Sequence, residues 1–252
     1  MKTIVYYHIW SPPNTDLWKI MVDEQIKRLY RSGLPEIATV KCAINGLQAS
    51  RIKQFVSLYD WIKIVDCQDS DEEYEGFTLK YLYDDCVNNR SNKVMYFHTK
   101  GISHMCGVRD QYSDRKIRAI NSWRHLMEWG CIDKWEKNIN LLDTYQVSGV
   151  NYCLDPWPHM SGNFWWARAD YISTLNHPTK DAFTREKEDF GPIERMNFEK
   201  WVGMKDPSVF SHYNSPFSYD FKDIVPDVQP TPPGEPHWFW LYRDDIHPHY
   251  LK

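Results

Sequence analysis

The residues best suited to chemistry in this sequence are a histidine and a lysine two positions apart. They lie in Lys93-Val94-Met95-Tyr96-Phe97-His98-Thr99-Lys100-Gly101, an apolar run that passes directly into His-Thr-Lys-Gly. In α/β sheets, ligands bind outside the carboxyl ends of the strands. A cationic strand end closed by glycine suits a diphosphate there. Alternate residues of a strand share a face, so His98 and Lys100 can converge on one ligand. Gly101 allows close backbone approach. Further on, Ser161-Gly162-Asn163 precedes an aromatic run. Asparagine offers a donor and an acceptor, which suits a sugar hydroxyl, although the tripeptide is also ordinary turn chemistry. Glu194 and Glu199 share one helical stretch, and either carboxylate suits a general base taking a hydroxyl proton. A solvated helix face is the plainer reading of each alone. His212 adds a candidate contact to phosphate or metal.

The elements that must position these groups fall in two halves. In the first, Thr3–Ile9, Ile37–Ile44, Trp61–Val65 and Lys93–His98 read as strands. Between them, Trp18, Val22, Ile26, Leu29 and Tyr30 recur at helical spacing up to Gly33, Arg51–Leu58 reads as a short helix, and Thr78–Val87 as another. This alternation predicts an α/β fold, a mainly parallel central sheet with helices on both faces. In the second half, Asp114–Glu128 and Cys131–Asp143 read as helices divided by Gly130, Val147–Cys153 as a strand, and Pro192–Val202 as a helix. Trp165 and Trp166 point to opposite faces if extended, one toward the core and the other toward the site. Residues 1–225 are expected to form one domain, with one half over about 1–105 and the other over about 106–225. The Pro- and aromatic-rich stretch 226–252 is expected to pack on it.

Composition narrows the function classes. The chain has 252 residues, with 30 basic and 34 acidic side chains and a formal net charge of -4. That balance argues against a general nucleic-acid binder, which needs a basic face. The 12 Trp, 16 Tyr and 11 Phe suit an aromatic core or sugar-stacking platforms. Six cysteines lie at 42, 67, 86, 106, 131 and 153 without a Cys-x-x-Cys pair, so a zinc knuckle is not expected. No stretch reads as a signal peptide or membrane span, and the expectation is a cytoplasmic protein with reduced thiols. Dinucleotide, P-loop and nucleophile-elbow motifs are absent from the sequence.

Taken together, these pieces resemble glycosyltransferases of the GT-A fold. In that group the strand near the centre of the nucleotide-binding half commonly ends in Asp-x-Asp, which holds a metal bridging the donor diphosphate. Here Val94–Phe97 ends in His98-Thr99-Lys100. The pair Tyr96-Phe97-His98-Thr99-Lys100-Gly101 and Ser161-Gly162-Asn163-Phe164-Trp165-Trp166-Ala167-Arg168 is similar to elements of rhamnan synthesis F-type proteins and related glycosyltransferases. Phe77-Thr78-Leu79 and Trp123-Arg124 add to the likeness, which spans roughly residues 3–203.

The resemblance implies that Tyr7, His8, Ile9, Asn45, Asp66 and Thr78 hold the nucleotide, and that His98, Lys100, Gly101 and His212 hold the diphosphate. It implies that His159, Ser161, Gly162, Asn163 and Trp165 face donor sugar and acceptor. Glu199, with Glu194 as its companion, would be the base. The donor would be a UDP-, GDP- or dTDP-linked sugar and the acceptor a glycan. No cofactor is expected, because Lys100 can neutralise the leaving diphosphate as a fixed cation. Mn or Mg stays open through a neutral His98 with Asp66 or His212. Two alternatives remain: a non-catalytic carbohydrate-binding protein, and a sugar nucleotidyltransferase. The latter class generally carries a glycine-rich basic loop after its first strand, where this chain has Trp10-Ser11-Pro12-Pro13-Asn14.

Overall fold

The computed structural model describes residues 1–13, 15–70, 73–105, 114–154, 157–179 and 193–213. The first half alternates as expected: β1 (Thr3–Ser11), α1 (Leu17–Arg31), β2 (Ala38–Gly46), α2 (Ala49–Val56), β3 (Ile62–Gln68), α3 (Gly76–Asn88) and β4 (Lys93–His98). The second half holds α4 (Ile102–Met105), α5 (Asp114–Glu128), α6 (Trp135–Leu141), β5 (Val147–Gly149), β6 (Tyr152–Cys153), β7 (His159–Met160), β8 (Trp165–Arg168), α7 (Ala169–Ile172), α8 (Ile193–Lys200) and β9 (Val209–Ser211).

Seven strands form one sheet in the order β3-β2-β1-β4-β8-β5-β9, and β6 pairs with β7 separately. Among the described strands of the large sheet, only β8 runs against the rest, antiparallel to both β4 and β5. The α/β class with a mainly parallel sheet is therefore the architecture observed. Side-chain alternation splits the core between two faces. Val5, Tyr7, Ile9, Met95 and Phe97 pack with α1 and α2 on one face. Ile4, Tyr6, Val94 and Tyr96 pack with α3, α7 and α8 on the other. Each strand of this pair is buried on both sides, which is why neither shows a polar alternation. The chain winds outward from β1 through β2 to β3, then crosses to β4 on β1's other side. The carboxyl ends of β1 and β4 therefore flank the point where the winding reverses, the usual crevice of such sheets.

Several boundaries differ from expectation, each for a local reason. β3 does not stop at Val65 but runs to Gln68, its pairing with β2 continuing past a register shift between Cys42 and Ala43. Gly130 does not divide two helices; α5 passes into a π-helical turn, Trp129–Asp133, which leads to α6. A side chain at Gly130 would meet Val150 at 2.2 Å, so the glycine serves close packing rather than a break. The expected strand Val147–Cys153 is two strands, since Asn151 takes φ +58° between them. Trp165 and Trp166 do point to opposite faces, yet both are fully buried. The stretch 226–252 lies outside the described residues.

Candidate active site at the carboxyl ends of β1 and β4

β1 and β4 are parallel and in register, with His8 beside His98. Both side chains continue the Tyr6 and Tyr96 rows and so face α3 and α8. Their ring centroids are 6.5 Å apart. Both residues are buried, as are Thr78 and Glu75. His8 Nδ1 is 2.8 Å from Thr78 Oγ1, in the first turn of α3. His98 Nε2 is 2.9 Å from the Gly162 carbonyl oxygen, and its Nδ1 is 3.4 Å from Glu75 Oε1. Glu75 Oε2 accepts a hydrogen bond from Asn163 Nδ2 at 2.5 Å. Asn163 also donates to the Phe198 carbonyl at 3.3 Å, and its Oδ1 accepts the Trp165 indole N–H at 2.7 Å. Gly162 and Asn163 both hold left-handed backbone, φ +84° and +60°, which aims the asparagine amide inward.

Beyond His98 the strand stops. The Lys100 N–H turns back to the His98 carbonyl at 2.8 Å, and Gly101 takes φ +87°. A Cβ on Gly101 would lie 2.5 Å from Ile120 Cγ2. The Lys100 side chain then reaches α8, where Nζ donates to Glu199 Oε1 at 2.9 Å. Both side chains of this pair are mostly buried, at 11% and 15% exposure. A cation and a carboxylate singled out on separate grounds therefore meet across 99 residues of sequence.

The other expected residues divide clearly. Asn45, at the end of β2, is buried, and its Nδ2 lies 3.4 Å from the Tyr74 carbonyl oxygen. Its Oδ1 is buried and has no hydrogen-bond partner among the described residues. Tyr7 and Ile9 belong to the opposite face; Tyr7 donates to Gln25 at 2.6 Å, so neither side chain joins this cluster. Asp66 sits within β3, its carboxylate engaged by the Tyr81 hydroxyl and the Cys67 N–H. Trp165 is wholly buried against Tyr96 and Trp201. It therefore offers no face to a sugar and acts by holding Asn163. Ser161 and His159 are buried; the His159 Nδ1–H donates to the Trp157 carbonyl at 2.7 Å. His212 stands apart at the far side of the sheet, 3.0 Å from Asn138 Oδ1 and packed on Trp129 and Phe210. Burial, then Lys137 and Lys134, lower its pKa to about 4. The side chain of Glu194 lies outside the described residues.

Sequence reasoning missed Glu75 and Gln25. Gln25 lies on the buried stripe of α1 with Trp18, Met21, Val22, Ile26 and Leu29. A polar residue at such a position needs a polar task. Its Nε2 donates to the His98 carbonyl at 3.2 Å and to Glu128 Oε1 at 2.8 Å. Glu128 is held in turn by Arg124 and Arg28. Burial acts to raise the Glu128 pKa, but Arg124, His125 and Arg28 outweigh it and hold the carboxyl well below its ordinary range. Among the described residues, no group of three His, Cys, Asp or Glu side chains is arranged to hold a metal ion.

The family model described as a domain of unknown function, DUF8361, matches residues 6–216. The chain belongs to that family. The finer likeness of this DUF8361 member to rhamnan synthesis F-type proteins rests on the sequence motifs alone. No curated protein shows significant similarity to the sequence. Among solved structures it is similar to a protein from Desulfovibrio desulfuricans assigned as a nucleotide-diphospho-sugar transferase. The TM-score is 0.42 and the identity 9%, over 85% of this chain and 81% of that one. It is also similar to 4-diphosphocytidyl-2C-methyl-D-erythritol synthase from Anaerococcus prevotii, with TM-score 0.46 and 11% identity, over 87% of this chain and 92% of that one. Likeness at this level leaves the chemistry to the chain's own residues.

Proposed function

We propose that this protein is a glycosyltransferase that moves a sugar from a nucleoside-diphosphate sugar, UDP-, GDP- or dTDP-linked, to a glycan acceptor. The observation that carries the reading is the Lys100–Glu199 pair, 2.9 Å apart beside the switch point of the sheet. A donor diphosphate offers Lys100 a stronger partner than one carboxylate. Once Lys100 turns to the diphosphate, Glu199 loses the cation that held it and serves as the base. It takes the proton of the acceptor hydroxyl as that oxygen bonds to the anomeric carbon. The bond from that carbon to the phosphate oxygen breaks, and the nucleoside diphosphate leaves with the electron pair, its charge met by Lys100. One cation thus serves both as leaving-group stabiliser and as the group that masks the base until donor arrives. Metal independence, a cytoplasmic setting and a part in polysaccharide or glycan synthesis belong to the same proposal.

Thermal-shift measurements against UDP, GDP, dTDP and CMP, with and without Mn²⁺, test it. One nucleoside diphosphate should stabilise the protein without the metal, and the matching sugar nucleotide should then be consumed with a glycan acceptor. No response to any nucleotide would leave a carbohydrate-binding protein as the better reading. Release of pyrophosphate from a nucleoside triphosphate and a sugar phosphate would mark a nucleotidyltransferase instead.

A further inference from the structure

The donor and acceptor roles around His98 are fixed by partners that have only one role each. A carbonyl oxygen accepts and cannot donate, so His98 Nε2, 2.9 Å from the Gly162 oxygen, carries a proton. Nδ1 then faces Glu75 Oε1 at 3.4 Å. A neutral ring protonated on Nε2 would turn a lone pair toward an ionised carboxylate, so a proton must lie between the two groups, and with it on Nδ1 the ring is the cation of an ion pair. Glu75 cannot rotate away freely, because its Oε2 accepts from Asn163 Nδ2. Asn163 cannot flip, because its Oδ1 accepts from the Trp165 indole, which only donates. The main chain of His98 is pinned from the opposite face by Gln25.

We propose that His98 is an imidazolium paired with Glu75 and acts as a positioning residue, setting Lys100 against Glu199, rather than as a phosphate or metal ligand. Both ring nitrogens are then committed within the protein. The tie from His98 through Glu75 and Asn163 to the Phe198 carbonyl starts two residues before Lys100 and ends one residue before Glu199. It therefore joins the two strands of chain that carry the ion pair. Among the described residues, the charged and titratable groups around the ring include Glu75 ahead of α3, His8 on β1, Tyr96 on β4, and the Lys100–Glu199 pair beyond. The importance of this register for transfer rests on the glycosyltransferase reading; the ring's protonation and the register itself do not.

The tests need no nucleotide, so their failure is distinct from failure of that reading. In the full chain labelled with ¹⁵N-histidine, at about pH 7.5, where an ordinary imidazole is neutral, both His98 nitrogens should show protonated shifts. Glu75→Gln should remove one proton while keeping the fold: the glutamine oxygen can accept from Asn163 and its NH₂ can donate to Nδ1. A single protonated nitrogen in the unaltered protein, or an unchanged ring in Glu75→Gln, overturns the charge assignment. Crystal structures of Glu75→Ala and Glu75→Gln test the positioning. The alanine variant should part Lys100 Nζ from Glu199 to beyond hydrogen-bond distance, and the glutamine variant should restore the contact. A Lys100–Glu199 contact unchanged in Glu75→Ala overturns it.

Discussion

At the scale of single residues, Lys100 has two prospective partners, and that gives two substitutions effects of opposite sign. Lys100→Ala removes a charge-assisted contact to phosphate, of about 1.5–3 kcal/mol. Affinity for the stabilising nucleoside diphosphate should fall about 10- to 100-fold by calorimetry. Glu199→Gln removes the carboxylate that competes for the same ammonium. Nucleotide affinity should rise several-fold while sugar transfer is lost; weaker binding in Glu199→Gln would contradict the exchange of partners. These two residues were legible in the sequence, one as the cation after an apolar strand and the other as an acid near a helix end. Their contact was not, because it depends on where the chain turns after His98. The alternation rule that pairs His98 with Lys100 assumes a continuing strand. The strand ends at His98, and the two side chains go to different partners, Glu75 with Gly162 and Glu199. Glu75 escaped notice because it closes the acidic stretch 69–75, a composition typical of loops, yet it is only 4% exposed.

At the scale of elements, the turn before β8 decides whether Asn163 reaches Glu75. A Cβ on Gly162 would sit 2.3 Å from Met127 Sδ and 2.7 Å from Trp123 Nε1, at φ +84°. Left-handed backbone costs about 1–2 kcal/mol and overpacking about 1–3 kcal/mol. Gly162→Ala should therefore lose about 2–5 kcal/mol in urea unfolding, and the Asn163 contacts with it. A change under about 0.5 kcal/mol, the scale of an indifferent surface site, would show that the turn relaxes freely. Strands of the first half were readable from their apolar runs, and β4 has the expected bounds. The shift of register between β2 and β3, the π-helical turn at Trp129–Asp133 and the split of β5 from β6 were not. Each depends on contacts from distant chain, such as Val150 against Gly130, and local pattern carries no record of those. The aromatic run at Phe164–Trp166 misled in the same way, since Trp165 is buried against Tyr96 and Trp201 on one face and Trp166 reaches the Cys131 carbonyl on the other.

At the scale of the whole molecule, buried and half-buried ionisable groups set the response to acid. His212, with its pKa lowered to about 4, stays neutral in the fold, while an unfolded chain protonates it near about 6.5. Between those values the unfolded state holds more protons, so stability is full above the window and falls as pH drops through it. His212→Asn should flatten the dependence of Tm on pH between about 6.5 and about 4; an unaltered slope would remove His212 from the account. Glu128 acts at lower pH, because its carboxyl is held below the ordinary range. Its contribution is present above the unfolded carboxylate pKa, about 4.3, and is lost in stronger acid. The sheet itself has a further consequence. β8, contributed by the later part of the chain, lies along the outer edge of β4, whose six residues are all buried. A polypeptide ending near residue 105 would present that apolar strand with a bare row of amides and carbonyls, a template for pairing with its own copies. Such a fragment should be recovered as insoluble aggregate, and the reversed strand can be regarded as the sheet's built-in guard against self-assembly.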